Sequence, residues 1–126
     1  MTVGGGIDLK SGADVKLGTA ADTITIDVVA ESNVSIDAGE KSGTDVVDTL
    51  LISGVNNLGL SVIDLSAADQ ITQLNGGLNS AVQKDFERVE LNGLTGSQGA
   101  SIVGSAEGNY IYGTPNADTI DITETT

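Results

Sequence analysis

The chain has 126 residues, enough for one domain, and its 18 acidic and 5 basic residues give a formal net charge of −13. Hydrophobic residues make up 39% of the chain and aromatic residues only 2%, so we expect a folded core built from aliphatic side chains. The charge argues against nucleic acid and against an anionic membrane surface as partners, because both require a basic patch.

The chain contains no His and no Cys. This removes Ser-His and Cys-His nucleophile pairs, as well as zinc or iron sites with nitrogen and sulfur ligands. The aspartate pairs Asp45/Asp48 and Asp64/Asp69 could be read as acid/base pairs for sugar hydrolysis, but carboxylates are so common here that such pairs arise by chance. We therefore expect no enzymatic activity. The remaining ligands are oxygen atoms, which suit hard cations and calcium above all.

Apolar residues come in short alternating bursts that predict strands with one buried face. Turns rich in Gly, Asn, Asp or Ser separate these bursts, which recur at roughly ten-residue spacing and favour a regular all-β stack. In chain order the bursts include 24–26, 34–36, 62–65, 89–91 and 120–122. The sequence predicts a right-handed parallel β-solenoid, that is, a β-roll or β-helix. An antiparallel β-sandwich is the runner-up, because alternation does not fix strand order.

One segment departs from this rhythm. Asn79 is a candidate N-cap, and Val82 and Phe86 lie four residues apart, which predicts a short helix near 79–86. We expect residues 1–126 to form a single domain with frayed ends at 1–6 and 123–126. No run of 18 apolar residues could cross a membrane, and no cleavable N-terminal signal is visible.

The strongest sequence signal is a repeat of nine residues. Residues 113–121 have the form G-x-x-N-x-D-x-U-x, where U is a large aliphatic residue, and residues 104–112 align with them without a gap. The alignment places Asn109 on Asp118. Residues 18–26 share Ala-Asp-Thr-Ile with 117–120, and residues 43–47 are a weaker copy. Gly and Asn permit the left-handed backbone of a tight turn, and the Asp at position six directs its carboxylate into that turn.

These turns supply the candidate cation ligands, which are Gly113, Asn116, Asp118, Asn109, Asp22 and Asp45. Carboxylates and carbonyl oxygens of stacked turns can converge on Ca²⁺. The alternative is an Asx-type turn in which the same side chains bond the backbone. The sequence leaves the two roles open at Asp118 and Asn116, and favours the turn role at Asp22 and Asp45.

The nonapeptides at 104–121 resemble those of the RTX (repeats-in-toxin) calcium-binding β-roll proteins. Residues 62–66 and 86–96 also look like segments that precede such repeats in secreted bacterial surface-layer proteins and adhesins. The resemblance implies export by a type I system without a cleaved signal, an extracellular location, calcium binding and a structural or adhesive role. The chain departs from the family pattern, which has several consecutive units, in carrying only two and in having Asn109 at an Asp position.

The likeness of 18–26 to 113–122 suggests that these segments form the two ends of the stack. Exposed sheet edges pair readily with another chain, so complementary ends would give a filament or lattice. The candidate self-assembly residues are Gly18, Asp22, Ile24, Ile26, Asp118, Ile120 and Ile122. We expect a calcium-responsive building block of a bacterial surface layer, filament or matrix. The alternative is a carbohydrate-binding module of a larger secreted protein, with a glycan as partner.

Overall fold

The computed structural model describes residues 14–28, 34–39, 47–106 and 109–122. Every regular element in these ranges is a β-strand. The strands are β1 Asp14–Lys16, β2 Thr23–Asp27, β3 Ser35–Asp37, β4 Thr49–Gly54, β5 Ser61–Asp64, β6 Ile71–Leu74, β7 Gly77–Leu78, β8 Gln83–Lys84, β9 Arg88–Leu94, β10 Ala100–Val103, β11 Tyr110–Tyr112 and β12 Thr119–Asp121.

The strands form three open sheets. Sheet 1 has the order β1-β3-β8, sheet 2 the order β11-β9-β4-β2, and sheet 3 the order β12-β10-β5-β6-β7. Seven of the nine strand pairs are parallel. The two antiparallel pairs, β5–β6 and β6–β7, both lie in sheet 3.

Rows of aligned aliphatic side chains form the core. In sheet 2 the parallel register places Ile24 beside Leu50 and Leu50 beside Val89, and each of these side chains is at most 2% exposed. In sheet 3 Ile63 lies beside Ile102, and both are at most 1% exposed. The residues between them point outward, so the alternating bursts form strands with one buried face.

The prediction of a right-handed parallel β-solenoid is wrong. The three sheets are small and separate, and none of them is closed. A hairpin also interrupts the parallel succession, because the chain reverses direction at Asn75 and Gly76, whose φ angles are 50° and 78°. An Asn-Gly pair adopts this left-handed backbone readily. The runner-up antiparallel β-sandwich is wrong as well, since most strand pairs are parallel.

The predicted helix near 79–86 is also wrong, because no residue of this segment is helical and the segment contains β8, which pairs in parallel with β3. Asn79 and Gln83 are only 7% and 0% exposed. The Gln83 side-chain amide donates to the Val34 carbonyl at 2.7 Å, and the Asn79 amide donates to the Ile71 carbonyl at 2.8 Å. These buried bonds tie the segment to two neighbouring stretches of chain and outweigh the local helical pattern.

A third buried amide, Gln70, holds the end of this segment. Its side chain is 4% exposed and bonds both backbone groups of Phe86, accepting from the N–H at 2.9 Å and donating to the carbonyl at 2.9 Å. It also donates to the Leu65 carbonyl at 3.2 Å. The Gln70 side chain therefore supplies Phe86 with the backbone hydrogen bonds that a neighbouring strand supplies elsewhere. Without it, the N–H and carbonyl groups of Phe86 would be buried without a partner.

Nearly all buried apolar side chains of the described ranges form one cluster that includes residues of all three sheets. The single-domain prediction for 1–126 stays a prediction. The segments 1–6 and 123–126, predicted to be frayed, lie outside the described residues.

Replacing Gln70 by Leu should lower the free energy of unfolding by about 2–4 kcal/mol, because both backbone groups of Phe86 lose their partner in a buried position. The matched control is Gln73→Leu. The Gln73 side chain donates to the Leu60 carbonyl at an exposed site, so this replacement should lower the free energy of unfolding by less than about 1 kcal/mol. Urea denaturation of the two variants measures the difference. Equal losses would contradict the role given to Gln70.

Candidate functional site

The three turns predicted from the repeat share one hydrogen bond. In each turn, the side-chain oxygen of the residue that aligns with Asp118 accepts from the backbone N–H four residues earlier. The donor–acceptor pairs are Gly18 to Asp22 at 3.1 Å, Ser105 to Asn109 at 2.6 Å, and Thr114 to Asp118 at 2.8 Å. The repeat therefore encodes one local turn, in which the side chain replaces a backbone acceptor.

Asp118 makes further bonds that connect this turn to the neighbouring strand. Its Oδ1 atom accepts from the Thr114 hydroxyl at 2.6 Å and from the Ala100 backbone N–H at 2.9 Å. Both carboxylate oxygens are thus engaged by donors of the protein. The carboxylate links the turn before β12 to the start of β10 and has a defined structural role.

Asn109 occupies the equivalent position before β11, and its surroundings explain why an amide stands there. Its Oδ1 atom accepts from Ser105, while its Nδ2 atom is directed toward the Glu87 carbonyl at 3.4 Å. An aspartate has no donor for that carbonyl. The departure of Asn109 from the repeat thus follows from its neighbour, since Asp118 faces an N–H and Asn109 faces a carbonyl.

A column of acidic side chains extends this arrangement across the start of sheet 2. Asp48 and Glu87 directly precede β4 and β9 and are 1% and 6% exposed. The Asp48 carboxylate accepts from the Asp22 backbone N–H at 2.8 Å, and the Glu87 carboxylate accepts from the Asp48 N–H at 2.9 Å. Each of these two buried acids therefore serves the backbone of the adjacent strand, which offsets part of the cost of burying a charge.

Two more of the predicted ligands, Gly113 and Asn116, also have structural roles. A side chain at Gly113 would collide with the Asp118 carboxylate, so this position requires Gly. The Asn116 amide donates to the Gly96 carbonyl at 2.7 Å and to the Gln98 carbonyl at 3.0 Å. Asp45 lies outside the described residues.

The structure does not gather these predicted cation ligands at one place. Asp22 precedes β2 at one edge of sheet 2, Asn109 precedes β11 at the opposite edge, and Asp118 precedes β12 in sheet 3. Within the described ranges, no three carboxylate, imidazole or thiol side chains form a group able to hold a metal ion. Calcium binding stays a prediction, and the turn role of these residues is the one with observed partners.

The predicted self-assembly residues divide into a buried and an exposed group. Ile24 and Ile26 in β2 are 0% and 1% exposed and belong to the core. Ile120 and Ile122, in and just after β12, are 46% and 75% exposed. Gly18 is exposed, and no atom lies within 4 Å of the position its side chain would take. The apolar side chains open to a partner are therefore at β12 and not at β2.

Two exposed tyrosines in β11, the outermost strand of sheet 2, were not singled out from the sequence. Tyr110 and Tyr112 in β11 are 52% and 47% exposed, and the Arg88 guanidinium lies 5.8 and 4.9 Å from their ring centroids. Arg88 is held in turn by Glu90, at 3.0 Å between Nη2 and Oε1. The Tyr-x-Tyr spacing puts both rings on one face of a strand and was the available signal. We call the outer edges of β11 and β12, with Tyr110, Tyr112, Ile120 and Ile122, the β11–β12 edge.

A second exposed apolar surface was also missed. Leu58, Leu60 and Leu78 are 85%, 45% and 92% exposed. The turn of the β6–β7 hairpin joins them, because Asn75 accepts from the Leu58 N–H at 2.9 Å and Gly76 donates to the Leu60 carbonyl at 3.0 Å. We call these three residues the leucine patch. Large exposed apolar side chains in such a group are typical of contact surfaces.

The described chain also contains a pair of hydrogen-bonded aspartates, Asp37 at the end of β3 and Asp85 just after β8. Burial raises the pKa of Asp85, and the hydrogen bond to Asp37 and its negative charge raise it further. Burial opposes ionisation of Asp37 too, but the Gly39 N–H at 2.9 Å, the bond with Asp85 and the charges of Lys84 and Lys16 lower its pKa. Asp85 is the member of the pair that holds a proton more readily.

Comparisons with known proteins add no relative: no family model, no curated protein and no solved structure matches the chain. The resemblance to RTX repeats therefore stays a prediction based on residues 104–121. In the described ranges no helix is long and apolar enough to cross a membrane.

Exchanging the two position-six residues tests the turn role. Asp118→Asn would place an amide donor against the N–H and hydroxyl groups that Asp118 now accepts from, and Asn109→Asp would remove the donor to Glu87. In the presence of chelator, each change should lower the free energy of unfolding by about 1–3 kcal/mol. Suppose instead that Asp118→Asn is as stable as the parent protein in chelator and lacks only the additional stability that calcium gives the parent. Asp118 would then act mainly as a cation ligand, which would contradict the turn role.

At pH values above the pKa of an ordinary aspartate, the Asp85→Asn variant should be more stable than the parent protein. A carboxyl whose pKa is raised on folding contributes stability at low pH and loses it as pH rises through the folded pKa. Asn keeps a hydrogen bond to Asp37 at every pH and tolerates the φ of 67° at this position.

Urea midpoints between pH 3 and pH 8, compared with those of Asp14→Asn, measure the effect of Asp85→Asn and control for the loss of one negative charge. A stability difference between Asp85→Asn and the parent that does not change with pH would contradict the assignment.

Proposed function

We propose that this protein is a non-enzymatic extracellular structural protein that associates with copies of itself as a building block of a surface layer, filament or matrix. The observation that carries the proposal is the β11–β12 edge. In the described part of the chain, β11 and β12 are each the outermost strand of their sheet, and their outer backbone groups have no neighbouring strand. Unpaired strand edges are templates for another chain.

The side chains at this edge support the proposal. Ile120 and Ile122 are 46% and 75% exposed, whereas Ile102 in β10, which is aligned with Ile120, is fully buried. A further strand laid on this edge would remove that apolar surface from water, at roughly 25 cal/mol per Å² of buried area. No charged residue lies between 108 and 117, so β11 brings no repulsion to such a contact.

The net charge of −13 gives a physical reason why cations would promote association of the copies. Copies of a strongly acidic chain repel each other, and cations reduce that repulsion by screening or by bridging carboxylates. We propose that calcium promotes association. The location, outside the cell and reached by type I secretion, is part of the proposal and follows from the RTX resemblance.

A glycan-binding module is the second candidate, and Tyr110 and Tyr112 favour it. Two half-exposed rings on one face, beside the Arg88–Glu90 pair, offer an apolar platform and hydrogen-bonding groups, a combination found in small-molecule sites. A monomer retained on a glycan, and released by Tyr112→Ala, would favour this function over self-association.

Light scattering during a calcium titration tests the first proposal. Mass should grow with calcium and return to that of the monomer with chelator, and sodium chloride at equal ionic strength should have a smaller effect. Ile120→Asp should prevent this growth, whereas Val82→Asp should not, since Val82 is 40% exposed on sheet 1, away from the β11–β12 edge. A monomer at every calcium and protein concentration would overturn the proposal.

A further inference from the structure

The leucine patch belongs to two stretches of sequence that carry no charge. Residues 49–63 and 70–83, which include the patch, contain no charged residue, although the chain as a whole has a net charge of −13. Leu78 is 92% exposed in β7, a strand of two residues. When a partner covers exposed apolar side chains of this size, their surface is buried without any charged side chain being removed from water.

Leu78 of the patch and Ile120 of the β11–β12 edge lie on the two outermost strands of sheet 3. Sheet 3 has the order β12-β10-β5-β6-β7, so β12 is outermost on one side and β7 on the other. Strand β12 is parallel to β10, and β10 to β5. Two antiparallel steps, β5 to β6 and β6 to β7, restore that direction. Strands β7 and β12 therefore run the same way.

From this geometry we propose that the β7 end of one copy docks on the β12 end of the next. The inference rests on the proposed function and specifies its contact. A copy displaced along sheet 3 without being turned over places its β12 beside β7 in the parallel sense already used by β12 and β10. Each copy offers one surface of each kind, so the contact is heterologous and generates a chain of copies.

Charge favours this arrangement over the contact of two identical edges. Two β12 edges facing each other would bring Asp121 of both copies to one interface, and like charges at an interface are unfavourable. The leucine patch brings Leu58, Leu60 and Leu78 without a charge. It therefore suits the β12 edge better than a second β12 edge does.

Mixing two single variants tests the proposal. Leu78→Asp removes the surface at β7 and leaves β12 intact, while Ile122→Asp does the reverse. Both side chains are exposed, at 92% and 75%, so folding should be unaffected, which circular dichroism and urea midpoints would check. Val82→Asp is the matched control and should assemble like the parent.

The oligomeric state is measured by sedimentation velocity under conditions in which the parent assembles. Each variant alone should be monomeric. An equimolar mixture should form a dimer of one Leu78→Asp and one Ile122→Asp copy and nothing larger, since one intact contact remains. Assembly of Leu78→Asp at the level of the parent, or a mixture that stays monomeric, would overturn the inference while leaving self-association standing. A parent that never assembles would overturn both.

Discussion

Backbone groups at the ends of strands need hydrogen-bond partners, and side chains supply many of them here. Oxygen atoms of Asp118, Asn109 and Asp22 accept from the turns, those of Asp48 and Glu87 accept from the neighbouring strand, and the Gln70 amide serves Phe86. An aliphatic core cannot satisfy these groups, so polar residues at chosen positions must. Most of these bonds hold a turn or join neighbouring segments of one sheet, whereas the Gln70–Phe86 bonds join the segment before β6 of sheet 3 to the segment before β9 of sheet 2.

This constraint changes how the acidic residues are interpreted. A high content of Asp at turn positions suggests cation sites when only the sequence is read, yet Asp118 and Glu87 have backbone donors as partners. In the proposed assembly, the remaining negative charge disfavours contacts between charged surfaces. The leucine patch and the β11–β12 edge are the surfaces proposed for contact for that reason, so the acidic composition bears on both the fold and the proposed assembly.

The sequence predicted the parts of the fold that depend on local pattern. Alternation located strands such as β2 and β12, and the repeat located the shared turn. The prediction at 79–86 failed because hydrogen bonds from residues distant in the sequence determine this segment, and nothing near Phe86 reveals that Gln70 binds its backbone. Strand order could not be predicted either, because it also depends on contacts between residues distant in the sequence. Of the candidate contact residues, Ile120 and Ile122 are exposed, whereas Ile24 and Ile26 are buried, a difference that only tertiary packing decides.

Amide hydrogen exchange in the presence of chelator tests most directly whether side-chain oxygens hold these turns. The account predicts that the N–H groups of Ala100, Ser105 and Thr114, which donate to Asp118 or Asn109, are protected from exchange without calcium. In Asp118→Ala the N–H groups of Ala100 and Thr114 should lose protection, while that of Ser105 keeps it. Exchange of all three at unfolded rates in chelator, with protection only after calcium is added, would contradict the account.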